Sequence, residues 1–156
     1  MHVARMGRDI AKRVFQVHGV DAHGEVGVRK QLPRSKGLTD FAHLPACRSG
    51  MEACGSAHYW GRELQQRGHD GRLRAVQLLK PYRTKPKKDR NEAEASCAAV
   101  SRPQRRFVPI KTVEQQAVLT VQRARELVVS ERTAGANQIR GLLLDYGLAI
   151  AAGIQR

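Results

Sequence analysis

The stretch Lys85-Pro86-Lys87-Lys88-Asp89-Arg90-Asn91-Glu92-Ala93-Glu94 turns from a run of cations into the start of a helix that carries carboxylates. Asp89 and Glu92 are three residues apart, so a helix beginning here stacks them on one face, close enough to share a divalent cation. A hard cation that acts on phosphate oxygens needs clustered carboxylates, and the adjoining lysines attract the polyanion that carries those phosphates. The same pattern, followed by Ala93, Cys97 and Val100, also reads as a capping box opening an amphipathic helix. On this stretch alone capping is the commoner outcome, and the rest of the chain has to decide between the two.

Composition narrows the choice. The 156 residues suffice for one core and an appendage. Lys and Arg number 28 against 14 Asp and Glu, a formal charge of +14 spread from Arg5 to Arg156. That balance favours DNA or RNA over a small neutral substrate, the alternative being a merely soluble basic surface. With aromatics at 4%, a single-strand binder built on stacking platforms is disfavoured. Cys47, Cys54 and Cys97 form no Cys-x-x-Cys pair, which points to small buried residues in a reducing cytosol instead of a zinc knuckle or a disulfide framework. The histidines have no metal-ligand spacing. No apolar run has the length of a membrane span and no apolar signal core opens the chain, so the expectation is a cytoplasmic protein without membrane contact.

Outward from the central stretch, the chain alternates strand and helix signals. Val14, Phe15, Val17 and Val20, the turn chemistry of Asp21-Ala22-His23-Gly24, and the alternation of Val26, Val28 and Leu32 predict a hairpin. A first strand before it is weak, with only Val3, Ala4 and Met6 apolar before Gly7-Arg8, and Asp9 ends it. Pro33 to Gly37 breaks the pattern, and a short helix through Leu38, Phe41 and Leu44 follows. Cys47 to Glu52 predicts a short strand, although Arg48 and Ser49 stand where a buried strand favours apolar residues. Ser56 is a candidate cap for a helix that turns Ala57, Trp60 and Leu64 inward and stops at Gly68. Glu52 therefore sits between a strand end and a helix, where open α/β sheets carry functional groups, though alone it also reads as an exposed loop carboxylate.

Arg72 to Ala75 predicts a further strand, and Lys80-Pro81-Tyr82-Arg83 opens the basic loop that delivers Asp89 and its helix. Beyond the break at Ser101-Arg102-Pro103, Phe107, Val108 and Ile110 flank Pro109 as an edge strand. Val113, Ala117, Val121, Ala124, Val128, Ile139, Leu142 and Tyr146 then trace one apolar stripe of a long helix, which Gly135 and Gly141 can divide in two. A stripe with so little chain after it to cover it suggests dimerisation or a further domain.

Four motifs in order carry a family resemblance. Asp9-Ile10-Ala11-Lys12 before a strand, Gly50-Met51-Glu52-Ala53-Cys54-Gly55, and Lys88-Asp89-Arg90-Asn91-Glu92-Ala93-Glu94-Ala95 resemble the N-terminal domain of DEDD transposases of the insertion-sequence-110 type. Val108-Pro109 through Glu114-Gln115-Gln116 and Asn137-Gln138-Ile139-Arg140-Gly141-Leu142-Leu143 extend the likeness over nearly the whole chain. The resemblance implies an α/β fold of the ribonuclease-H-like (RuvC-like) kind, a mixed sheet flanked by helices over residues 1–110, followed by a long C-terminal helical segment over 111–156. It also implies that Asp9, Glu52, Asp89 and Glu92 are the four catalytic carboxylates, holding Mg2+ or Mn2+ for cleavage of a DNA phosphodiester in DNA transposition and recombination.

Lys80, Arg83, Lys85, Lys87, Lys88 and Arg90 are the corresponding candidates for nucleic-acid contact. By the same resemblance, a complete relative works on DNA as an oligomer, with a structured guide RNA and a second domain that supplies a serine nucleophile. The chain departs from the family pattern at Glu92, where Asp is usual, at Gly7-Arg8 in the first strand, at Arg48 and Ser49, and at Gly135. It stops at Arg156, before any serine that could fill that role, so the expectation is a truncated transposase that is inactive alone. The competing expectation is a non-catalytic remnant that binds nucleic acid or dimerises and interferes with an intact transposase through mixed oligomers.

Overall fold

The computed structural model describes residues 3–75, 77, 89–100 and 106–151, the side chains of 89 and 90 excepted. Five strands, β1 (Arg5–Ile10), β2 (Val14–Val20), β3 (Val26–Pro33), β4 (Arg48–Glu52) and β5 (Asp70–Arg74), form one sheet in the order β3-β2-β1-β4-β5. The pairs β1–β2 and β2–β3 are antiparallel hairpin neighbours, while β1–β4 and β4–β5 are parallel, so the sheet is mixed. Four helices are described: α1 (Gly37–Ala42), α2 (Ala57–Gln66), α3 (Asp89–Val100) and α4 (Val113–Leu144). The α/β class, the mixed sheet and the long C-terminal helix thus match the sequence reading.

The clearest sequence signal, the β2–β3 hairpin, forms as its turn chemistry requires. The Asp21 carboxylate accepts the backbone N–H groups of His23 and Glu25, both at 2.9 Å, and Gly24 takes a φ of 96°, open to glycine without a side-chain clash. Gly68, the expected stop of α2, likewise adopts a left-handed φ of 79°. The Ser56 expectation does not hold. Ser56 itself is left-handed, with a φ of 67°, and makes no capping bond to α2; its Oγ accepts from Arg34 Nη2 at 2.8 Å instead.

Period-two alternation assigns the strand residues to two faces. One face carries Met6, Arg8 and Ile10 of β1, Phe15 and Val17 of β2, Ser49 and Met51 of β4, and Leu73 of β5. All are buried, and α1 and α2 cover the apolar members with Phe41, Trp60 and Leu64. Phe15, Phe41 and Trp60 form an aromatic cluster, with Trp60 edge-on to Phe15 at 4.8 Å and to Phe41 at 5.6 Å between centroids. The opposite face, bearing Gly7 and Asp9 of β1, His18 of β2, and Gly50 and Glu52 of β4, lies under α3.

The weak first strand has a structural explanation. Gly7 and Gly50 are register partners on adjacent strands, and together they form the seat of α3. A Cβ at Gly7 would lie 1.9 Å from the Ala93 carbonyl oxygen, and one at Gly50 would lie 2.7 Å from that of Ser96. The helix answers with small buried residues, Ala93, Ser96, Cys97 and Ala99, so backbone packs almost directly on backbone. β1 also runs further than expected, and Asp9 lies within it instead of ending it.

Two compact units divide at Thr112 and Val113. In the second, α4 is continuous through Gly135 and Gly141, where the sequence had allowed a division. None of its residues is buried, and Val121, Leu127, Val128, Ile139 and Leu142 stay exposed. Among the described residues no helix is long and apolar enough to cross a membrane.

Candidate functional site

The site is built from strand register and helix direction. β1 and β4 are paired in parallel through Arg8 and Met51, and one more step along that register brings Asp9 beside Glu52 at the C-terminal ends of both strands. Residues alongside one another in a sheet share a face, so both carboxylates rise from the face that α3 covers.

The direction of α3 follows from its contacts. Cys97 Sγ lies 3.8 Å from the Arg5 carbonyl oxygen, and Gly7, two residues on, meets both Ala93 and Cys97. Each step up β1 is therefore a step back along α3, and Asp9 meets the opening turns of the helix, where the half-buried Glu92 lies. The positive end of the helix dipole faces the same edge.

These charges also bear on a nearby thiol. Burial first, and then the negative charges of Glu52, Asp9 and Glu92, push the Cys54 pKa above its ordinary 9.0. Cys54 is half-buried in the segment between β4 and α2, and it senses three carboxylates contributed by three separate elements. Asp89 is the first residue of α3, and its carboxylate lies outside the described side chains. Among the described residues, no three Asp, Glu, His or Cys side chains are gathered closely enough to hold a metal ion. In donor chemistry the set fits a hard divalent cation, since all its members are carboxylates.

The remaining predicted site residues divide differently. Arg90 lies in the first turn of α3, with its side chain outside the described set, and Lys80, Arg83, Lys85, Lys87 and Lys88 fall outside the described residues altogether.

Arg8 adjoins Asp9 in sequence, but strand alternation sends it through to the opposite face. There its side chain is fully buried, donates to Ser49 Oγ, and lies 4.0 Å from the centroid of Phe41. Burial pulls the guanidinium down to about 10, with the charges of Cys47 and Asp40 opposing that effect. The unexpected Arg8 and Ser49 are thus partners in one buried contact. Arg48 is exposed and pairs with Asp70 at 2.9 Å, so it takes no place in the core.

One residue near the carboxylates escaped the sequence reading. Arg74 is the register partner of Glu52 on β5, is 1% exposed, and donates to the Ala99 carbonyl at 3.3 Å. Its guanidinium also lies 5.7 Å from the ring centroid of Phe107. The alternation of Arg72 and Arg74 was visible in the sequence; that β5 would run beside Glu52 was not.

No family model matches the chain. Named relatives do, among them three that match over almost all of it. A protein named probable family 20 transposase from Pseudomonas aeruginosa is 53% identical over 95% of this chain and 44% of its own length. The transposase for insertion sequence element IS1111A of Coxiella burnetii is 43% identical over 97% of this chain and 42% of its own length. The transposase for insertion sequence element IS1328 of Yersinia enterocolitica is 37% identical over 98% of this chain and 46% of its own length. The chain spans less than half the length of each of these relatives, and over nearly all of its own length it is a homologue of proteins named as transposases, two of them of insertion sequences.

Proposed function

We propose that this chain is the metal-binding α/β portion of an insertion-sequence transposase, acting in DNA strand cleavage and recombination. The observation that carries the reading is the strand register that sets Asp9 of β1 beside Glu52 of β4 at the edge of the sheet toward which α3 carries Glu92. Asp89, one turn before Glu92, completes a set of four carboxylates of the kind that DEDD transposases use. A Mg2+ or Mn2+ ion held there supplies polarisation of a scissile phosphate and stabilisation of the leaving oxygen.

The residues of the chain do the preparatory work. Asp9 and Glu52 are fixed by strand pairing, and Glu92 is carried on a helix that the Gly7–Gly50 seat holds against the sheet. Rigid placement of this kind matters because a misplacement of about an ångström costs catalysis heavily. Glu92, at a half-buried position near the helix start, is one methylene longer than the usual Asp. DNA is the substrate, attracted by the excess of cations. Recombination as a whole is work for the longer protein, since the relatives extend well beyond the matched portion.

A second reading, a dimerising remnant without catalysis, is favoured by one feature. The apolar stripe of α4 at Val121, Ala124 and Val128 is exposed, as expected of a helix that packs against another copy or an intact transposase.

Titration of the purified chain with MgCl2 or MnCl2, followed by thermal unfolding, separates the two readings when run beside Asp9→Asn and Asp89→Asn. At a metal concentration of 100 times Kd, the parent chain should gain about 2.7 kcal/mol and neither variant should. If metal leaves the parent unchanged, or raises the variants as much as the parent, the metal-binding reading fails and the remnant reading stands.

A further inference from the structure

The first hairpin turn, Ala11 to Arg13, follows Asp9 and Ile10 directly at the carboxylate edge of the sheet. It is tight: the Ala11 N–H donates to the Val14 carbonyl at 3.2 Å, which leaves Lys12 and Arg13 at the tip, both exposed. It is also braced. Arg34 donates from Nη1 to the Ala11 carbonyl at 3.0 Å and from its backbone N–H to the Arg13 carbonyl at 2.9 Å. The same guanidinium lies over Phe15 and Trp60, at 5.5 and 5.3 Å from their centroids, and bonds Ser56 at the start of α2. One arginine therefore ties the tip to the aromatic core.

The tip also carries charge at the carboxylate end of β1. Among the described residues, Arg29, Lys30, Arg48, Arg67 and Arg72 each have a carboxylate partner, respectively Glu94, Asp40, Asp70, Glu63 and Asp70. Among those same residues Lys12 and Arg13 have none. They are two adjacent cations on a rigid turn, three and four residues past Asp9. Two adjacent, braced cations without a carboxylate partner, at the strand end that carries Asp9, are suited to a phosphate backbone that passes that edge of the sheet.

We propose that Lys12 and Arg13 form a phosphate clamp that holds duplex DNA at the carboxylate edge. The proposal rests on the DNA-acting reading above and names two positioning residues for it. The bracing by Arg34 matters because a pre-positioned cation loses less conformational freedom on binding than one on a loose loop.

The test is the salt dependence of binding to a short DNA duplex by the purified chain. Three proteins are compared: the parent, the Lys12→Gln/Arg13→Gln double variant, and a charge-matched Arg29→Gln/Lys30→Gln control on the outer strand. The slope of log K against log salt should fall by about 0.9 for each phosphate that is no longer neutralised, so by up to about 1.8 in the tip variant, with little change in the control. Thermal unfolding should show the tip variant folded like the parent, since both side chains are exposed. If tip and control lower the slope equally, binding follows net charge alone and the clamp is overturned. A tip variant with the parent slope overturns it too, while leaving the DNA-acting reading in place. Failure of the parent itself to bind DNA overturns both.

Discussion

On one face of the sheet Phe15, Phe41 and Trp60 fill the space between strands and helices; on the other, Gly7 and Gly50 clear it so that α3 can approach. The first face is an ordinary core, tolerant of compensating changes in shape and volume. The second has backbone against backbone and no volume to exchange. That difference assigns a task to each side: the aromatic face holds the domain together, and the glycine face sets the height and direction of the helix that carries Glu92 toward Asp9 and Glu52. A buried cation, Arg8, lies on the stabilising face, while Asp9 and Glu52 lie on the other.

The contrast is broken most severely at Gly7. An added Cβ would sit 1.9 Å from a backbone oxygen of α3, so Gly7→Ala should exceed the roughly 1–3 kcal/mol typical of overpacking, with chemical denaturation showing an early or non-cooperative transition. An unfolding midpoint equal to that of the parent would mean that α3 is not seated on the glycines.

The aromatic face should respond in the opposite sense to removal of its charge. Arg8 makes one side-chain hydrogen bond and one ring contact, and its Nε and Nη2 find no acceptor among the described residues. A desolvation cost of several kcal/mol per buried ion outweighs a cation–π gain of about 2 kcal/mol. Arg8→Met combined with Ser49→Ala, which removes both partners, should therefore leave stability unchanged or raise it by up to about 1–4 kcal/mol. A clear loss of stability in denaturant would assign Arg8 a structural role that its contacts do not explain.

A smaller effect sharpens the carboxylate side. Glu52→Gln should lower the pH midpoint of Cys54 alkylation, Asp9→Asn should lower it less, and Asp70→Asn, at the other end of the strands, should leave it in place. This follows the order in which the charges act on the thiol. Cys54 is the half-exposed cysteine, whereas Cys47 and Cys97 are buried, so mass spectrometry of the alkylated protein resolves it. Equal midpoints in all variants would mean that the carboxylates do not converge.

The smallest effect belongs to Asp70, where a carboxylate is already neutralised. Partial burial alone would raise its pKa, but hydrogen bonds from Arg72 and Arg48 override that and hold it below the usual 3.8. A carboxyl depressed in the folded state binds fewer protons than in the unfolded one. Its contribution is therefore complete above about pH 4 and is lost as pH falls through the folded value. The partners are 39–48% exposed, so Asp70→Asn should flatten the acid limb of stability against pH by less than about 1 kcal/mol.

The sequence by itself determined the elements with local causes. The hairpin of β2 and β3, the stop at Gly68 and the long stripe of α4 each follow from turn chemistry or periodicity within a few residues, and they formed where that chemistry put them. The placement of Glu52 between a strand end and a helix was legible for the same reason. Tertiary structure alone decided the rest. Gly7 and Arg8 looked like damage to a strand because a single strand shows neither its neighbour nor its cover. Paired with β4 and capped by α3, Gly7 becomes a helix seat and Arg8 turns to the face away from Asp9. Ser56, read as a cap from its position, instead serves Arg34 from another element. Contacts between residues distant in sequence depend on which strands lie side by side. That choice is made by burial of the whole sheet, so no local window of sequence contains it.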